Sequence, residues 1–216
     1  MTRYTTTMPH TPLFVAERLD LIDLVEDLEP EEWEVPSLCR RWRVRDVVAH
    51  LVSYEGQSAT ALASRALRAG LLPNRMSELG VRELAGVPTA ELVARLRAHV
   101  DPSGPARMFG GQLGLTDGVI HQQDIRRPLG RPRHIPAQRL RDALDFALTA
   151  PPLRGAWRAR GLRVVTEDIG WTHGRDPGAP EVRGPGEAVL MALAGRPAAL
   201  PDLDGDGVAI LARRIR

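Results

Sequence analysis

Leu38-Cys39-Arg40-Arg41-Trp42-Arg43-Val44-Arg45-Asp46-Val47-Val48-Ala49-His50-Leu51 runs from a polar, arginine-rich approach into apolar residues spaced for a helix. Val47, Val48, Leu51 and Val52 fall three and four residues apart, and Ala59, Leu62, Ala66 and Leu67 continue the pattern until Gly70. The spacing predicts one long helix from Val44 to about Ala69 with His50 at its centre. Outward from it, Pro12 to Glu29 carries Phe14, Leu21, Ile22, Leu24 and Val25 at helical spacing and stops at Pro30. Further helices are predicted over 76–85, 89–100, about 112–127 and 136–149, the last two separated by Pro128 and Gly130. Their short joints suit an up-and-down helical bundle.

The texture changes at Pro151-Pro152. Leu162–Val165 and Ile169–Trp171 read as short strands, Glu187–Ala194 as a compact helix between Pro185 and Gly195, and Gly207–Ile215 as a final strand. The expected fold class is therefore α+β, with a helical bundle over 1–150 followed by a small α+β domain over 151–216.

Composition narrows the chemistry. Apolar residues at 43% and charged residues at 26% support a folded core rather than disorder. All 29 basic residues are arginine, which removes Schiff-base chemistry, a lysine-anchored pyridoxal cofactor and a P-loop lysine. The 27 acidic residues are interspersed with them and the formal net charge is +2, so no nucleic-acid partner is expected. The single cysteine, Cys39, excludes an intramolecular disulfide and any multi-cysteine zinc site, leaving histidine and carboxylate as the expected metal donors. Beside Trp42, Cys39 reads as a packing residue of an inter-helix loop rather than a nucleophile. Residues 1–12 lack the apolar segment of a secretory signal, and no apolar run approaches the roughly 20 residues of a membrane span. A cytoplasmic chain without a membrane partner is expected, as monomer or homodimer.

Of six histidines, two sit mid-helix beside groups that could form a site: His50, and His121 in Asp117-Gly118-Val119-Ile120-His121-Gln122-Gln123-Asp124. The i, i+4, i+7 spacing puts Asp117, His121 and Asp124 on one helical stripe, where they can converge on an ion with a third donor from a facing helix. The same spacing also occurs in surface and capping pairs. Gly118 is unfavourable mid-helix and could relieve crowding beside a ligand. His173 reads as a solvated hairpin residue, and His10, His99 and His134 as loop or surface residues. Asp202-Leu203-Asp204-Gly205-Asp206-Gly207 copies half of an EF-hand loop, but Arg213 stands where a bidentate Glu is required, so the segment reads as a hairpin turn.

Three segments in order resemble the mycothiol-dependent maleylpyruvate isomerase family, among the DinB-like metal-binding helical bundles. They are Leu38–Leu51, the Asp117–Asp124 helix, and a tail comprising Asp168-Ile-Gly-Trp171, Val182–Arg196 and Leu203–Gly207. Asp117 stands where that family usually has Glu. The resemblance implies His50, Asp117 and His121 as ligands of a divalent metal such as Zn. It implies Asp124 as a nearby acid/base or ligand-orienting catalytic group, and Arg196 as a catalytic residue facing the site. It further implies mycothiol as cofactor or co-substrate and a small electrophile as substrate. A metal lowers a thiol pKa, and the thiolate either adds to a cis alkene that rotates and is restored as trans, or displaces a leaving group. The expected enzyme is thus an isomerase or S-transferase; the alternative is a non-catalytic metal- or ligand-binding module in a stress or regulatory role.

Overall fold

A computed structural model describes residues 9–215. The reading of residues 1–8 as free of a secretory signal lies outside the described residues. The chain divides into two compact units, Met1–Arg131 and Pro132–Arg216.

The first unit is helical: α1 (Thr11–Glu26), α2 (Val44–Val52), α3 (Ala59–Arg68), α4 (Pro73–Glu83), α5 (Thr89–Ala98) and α6 (Gln112–Arg126). Its core joins Leu21, Ile22, Leu24 and Val25 of α1 to Val47, Val48 and Leu51 of α2, Leu92 and Leu96 of α5, and Ile125 of α6. Those on α1 and α2 are the positions whose helical spacing marked them as one face. The helix expected over 44–69 is two helices. α2 ends at Val52, Gly56 takes φ 65°, and the Ser58 hydroxyl accepts from Ala61 N at 3.2 Å to start α3. The sequence signals are Gly56 followed by a serine cap, which outweigh the run-on apolar pattern. His50 consequently lies in the last turn of α2, not at the middle of a long helix.

α1 and α6 approach closely because α6 carries glycines where they meet. A Cβ at Gly114 would lie 2.8 Å from Phe14 Cε2, and one at Gly118 would lie 3.2 Å from Glu17 Cγ. Gly118 thus relieves crowding against α1, rather than against a ligand as its sequence setting suggested.

In the second unit α7 (Ala137–Thr149) packs on α8 (Gly155–Ala159) and α9 (Gly186–Leu193). This places the division before α7, ahead of the boundary expected near 150. A three-stranded sheet has order β2-β1-β3, with β1 (Arg163–Thr166) antiparallel to β2 (Thr172–His173) and parallel to β3 (Glu181–Gly184). Val164 pairs with His173 and Val182, and both valines are fully buried under α9. The second strand thus falls after the expected Ile169–Trp171, and His173 is paired within it. β3 is an addition: Pro180 and Gly184 at its ends masked a short apolar alternation. The last element is also different. Gly207–Ile215 is not a strand, since Val208–Ile215 forms α10. Ala, Leu and Arg are strong helix formers, and six apolar residues in eight leave no clean strand alternation. The preceding Asp-Gly-Asp-Gly segment closes the sheet edge instead of turning a hairpin: Glu181 N donates to Asp206 Oδ1 at 2.7 Å and Gly207 N to Glu181 O at 2.8 Å. Among the described residues, no helix is long and apolar enough to cross a membrane.

One buried ion pair fixes the α2–α3 turn to α1. Arg18 Nη2 donates to Glu55 Oε1 at 2.8 Å, with side chains only 6% and 2% exposed. Removing one partner strands a buried charge, whereas removing both does not. Glu55→Gln should lower the unfolding free energy by about 3–5 kcal/mol in urea titrations. The double change Arg18→Met/Glu55→Leu should recover most of that loss; equal losses in both variants would refute the pair's role.

Candidate metal centre

α2 and α6 bring His50, Asp117 and His121 together, their ligand atoms all within 4.8 Å of one another. His50 Nε2 lies 3.4 Å from Asp117 Oδ2, and His121 Nε2 lies 3.4 Å from Asp117 Oδ1. Both imidazoles therefore present the same nitrogen to one carboxylate. The rings meet edge to face with centroids 4.7 Å apart. Trp42 covers them, 5.2 Å from His50 and 6.3 Å from His121, and Tyr54 stands edge-on to His50 at 5.8 Å. The aromatic pair follows from the local fold: the 39–42 turn carries Trp42, and the early end of α2 frees Tyr54 from helical geometry.

Asp124 completes the arrangement from behind. Its carboxylate is fully buried, and Oδ2 lies 2.9 Å from His121 Nδ1. Helical spacing places it one turn after His121 and Asp117 one turn before, so a single helix presents carboxylates to both nitrogens of the ring. A carboxylate on the far nitrogen fixes ring orientation and directs Nε2 outward, as in metal sites with supported histidines. His50 has no such support, since its Nδ1 is buried without a hydrogen-bond partner among the described residues; Trp42 and Tyr54 hold that ring by packing.

The electrostatics favour a cation. Burial lowers the pKa of His50, more strongly than Asp117 raises it. Burial also opposes charge on His121, but the Asp117 carboxylate, then Cys39 and Asp124, push its pKa well above the ordinary histidine value. Burial disfavours the Asp117 carboxylate as well, yet His121 and then His50 hold it far below the usual carboxylate range. The cluster thus concentrates negative charge around a positive centre.

The donor set fits a divalent ion. Tetrahedral Zn with N and O donors at about 2.0–2.2 Å has donor–donor edges of about 3.4 Å. The two Nε2–carboxylate separations match that edge and exceed an ordinary hydrogen bond. Three protein donors leave a position for a further ligand. Asp117, the shorter residue in place of Glu, keeps one oxygen toward each imidazole.

Two other residues stand differently. Arg196 belongs to the second unit, just after α9, where its Nη1 donates to Ala194 O at 2.9 Å. That contact places a cation at a helix C-terminus, which the backbone dipole favours. Cys39, read from sequence as packing, lies against the centre: its Sγ is 3.0 Å from Asp124 Oδ2 and 3.5 Å from His121 Nδ1. Its position on an inter-helix loop was legible, but the approach of that loop to Asp124 depends on tertiary contact.

A family profile described as the mycothiol maleylpyruvate isomerase N-terminal domain matches residues 14–126. Over 87% of this chain and 88% of the other, the fold is similar to that of a crystal structure titled as the mycothiol-dependent maleylpyruvate isomerase, with TM-score 0.50 and 14% identity. No curated protein matches the chain in sequence comparison.

Because Asp124 orients His121 without being one of the three converging donors, Asp124→Asn should weaken Zn binding about 10–100-fold rather than abolish it. Competition with a chromophoric chelator measures this; unchanged affinity would remove Asp124 from the centre.

Proposed function

The chain belongs to the mycothiol maleylpyruvate isomerase N-terminal domain family, and from that premise we propose that it is a thiol-dependent metalloenzyme, isomerising or S-conjugating a small electrophile. The observation that carries the proposal is the convergence of His50 Nε2 and His121 Nε2 on Asp117 at 3.4 Å each. His50, Asp117 and His121 are proposed to hold a divalent metal, Zn by donor type, whose chemistry is to keep a thiol such as mycothiol as its thiolate.

The chain's own residues do the remaining work. Asp124 accepts from His121 Nδ1 and keeps that ring aimed at the site. Fully buried, it acts by positioning rather than by touching substrate. Trp42 and Tyr54 wall the cluster and limit water around the donors, which strengthens electrostatic interactions there. With the thiol as co-substrate, isomerisation consists of thiolate addition to a cis alkene, rotation about the resulting single bond and elimination to the trans product. S-conjugation ends at the thioether, the electrophile expelling its leaving group as the carbon–sulfur bond forms. Arg196 is proposed as the partner of a substrate carboxylate, since a guanidinium fork matches that group bidentately.

Metal-loaded protein should gain thermal stability with mycothiol, by about 2.7 kcal/mol at a hundredfold excess over Kd. It should isomerise maleylpyruvate or conjugate an electrophile only with metal and thiol together, and His50→Ala should abolish both effects. Stoichiometric metal without any thiol response would defeat the thiol reading; absence of bound metal would defeat the centre itself. Arg196→Met should raise KM for a carboxylate substrate with metal content unchanged, and an unaltered KM would remove Arg196 from the proposal.

A further inference from the structure

His121 has a second face. Beyond its Nδ1 lie the Cys39 thiol and the Asp124 carboxylate, and the three ligand atoms form a group compact enough to hold an ion. The loop that brings Cys39 there is tied to α6: Leu38 N donates to Asp124 O at 3.0 Å. Cys39 itself is set by Ser37 Oγ, which accepts from its N at 3.1 Å, and by Trp42 N, which donates to its carbonyl at 3.0 Å. Cys39 is half-buried, whereas Asp124 is wholly buried.

We propose that Cys39 Sγ, His121 Nδ1 and Asp124 Oδ2 form a second, thiophilic metal site that shares its imidazole with the His50–Asp117–His121 centre. A tetrahedral ion with S at about 2.3 Å and N or O at about 2.0–2.1 Å has edges of about 3.3–3.6 Å. The sulfur–nitrogen separation of 3.5 Å already matches. The 3.0 and 2.9 Å separations to Asp124 are hydrogen-bond lengths; they widen by about half an ångström when a cation replaces the shared protons. On binding, Cys39 S–H and His121 Nδ1–H each lose their proton to solvent, and the neutral imidazole keeps its remaining proton on Nε2.

Two consequences follow from donor chemistry. A thiolate selects soft ions, so this site favours ions such as Cd2+ over hard ions such as Mg2+. A neutral imidazole has one lone pair, so His121 serves one site at a time. A soft metal at Cys39 therefore withdraws His121 from the first centre. The inference does not depend on the thiol chemistry proposed above.

The probe is Cd2+ alone, titrated into the full chain while thiolate-to-metal charge-transfer absorption is followed in the ultraviolet. Because Cys39 is the chain's single cysteine, any such band reports on this residue. The band should saturate near one equivalent, independently of protein concentration, vanish in Cys39→Ser and persist in His50→Ala. Asp124→Asn should weaken the midpoint at least tenfold. No band in the native chain, a band whose midpoint ignores Asp124→Asn, or one that depends on protein concentration as cross-linked chains would require, overturns the site. Loss of the band in His50→Ala with the fold retained by circular dichroism also overturns it, because the first centre would then be the source. Failure of thiol-dependent turnover leaves these outcomes unaffected.

Discussion

A single imidazole, held between two carboxylates of its own helix, organises the first unit. His121 meets Asp117 through Nε2 and Asp124 through Nδ1, so its orientation is determined by α6 before any other helix contributes. α2 needs only to bring one more nitrogen, that of His50, to the same carboxylate. The loop before α2 then closes the arrangement with Trp42 over both rings and Cys39 against the far carboxylate. Displacing His121 would remove the ring that both carboxylates, Trp42 and the Cys39 thiol contact.

This arrangement explains the unusual character of α6. Thr116, Gln122, Gln123 and Asp124 are all buried, although a helix of that composition would ordinarily lie at the surface. Burial of Gln122 and Asp124 is tolerable because their polar groups are matched, whereas Thr116 Oγ1 is buried without a hydrogen-bond partner among the described residues. Gln122 donates to Glu17 Oε1 at 2.9 Å and accepts from Arg126 Nε at 2.8 Å, and Asp124 is engaged by His121 and Cys39. Each pairing offsets desolvation that would otherwise cost several kcal/mol. Close approach of α1 is a condition of this matching, and Gly114 and Gly118 permit it. A helix that keeps polar residues inside, with glycines along its partner's track, is organised around a site more than around a core.

Much of this was legible in the sequence because it rests on helical periodicity. The i, i+4, i+7 stripe of Asp117, His121 and Asp124 and the apolar face of α2 are local properties, and the backbone follows them. What escaped depends on contacts between distant segments. Cys39 gave no local sign of facing Asp124, since 85 positions separate them. The break at Gly56 was visible but lost to a continuing apolar pattern, and with it the reason Glu55 can turn back to Arg18. In the second unit, short elements defeated periodicity: β2 has two residues and β3 four, too few for alternation to outweigh neighbouring prolines and glycines. Val208–Ile215 mixes both periods, and helix propensity decided it. Separation at Arg131–Pro132 rather than near 150 likewise reflects what α7 packs on, not its own pattern.

Unequal burial within the cluster defines how it communicates with solvent. The side chain of Asp117 is 41% exposed, while those of His50 and His121 are 7% and 10% exposed. Access to the converging nitrogens therefore lies on the Asp117 side, where an aspartate rather than a longer glutamate leaves the shorter arm and more open space. The Cys39 side is enclosed more tightly, with Asp124 fully buried behind it. In the proposed two-site arrangement, the same imidazole stands between a set of nitrogen and oxygen donors and one that includes sulfur. Which donor set would hold a metal then follows from the softness of the ion relative to each set.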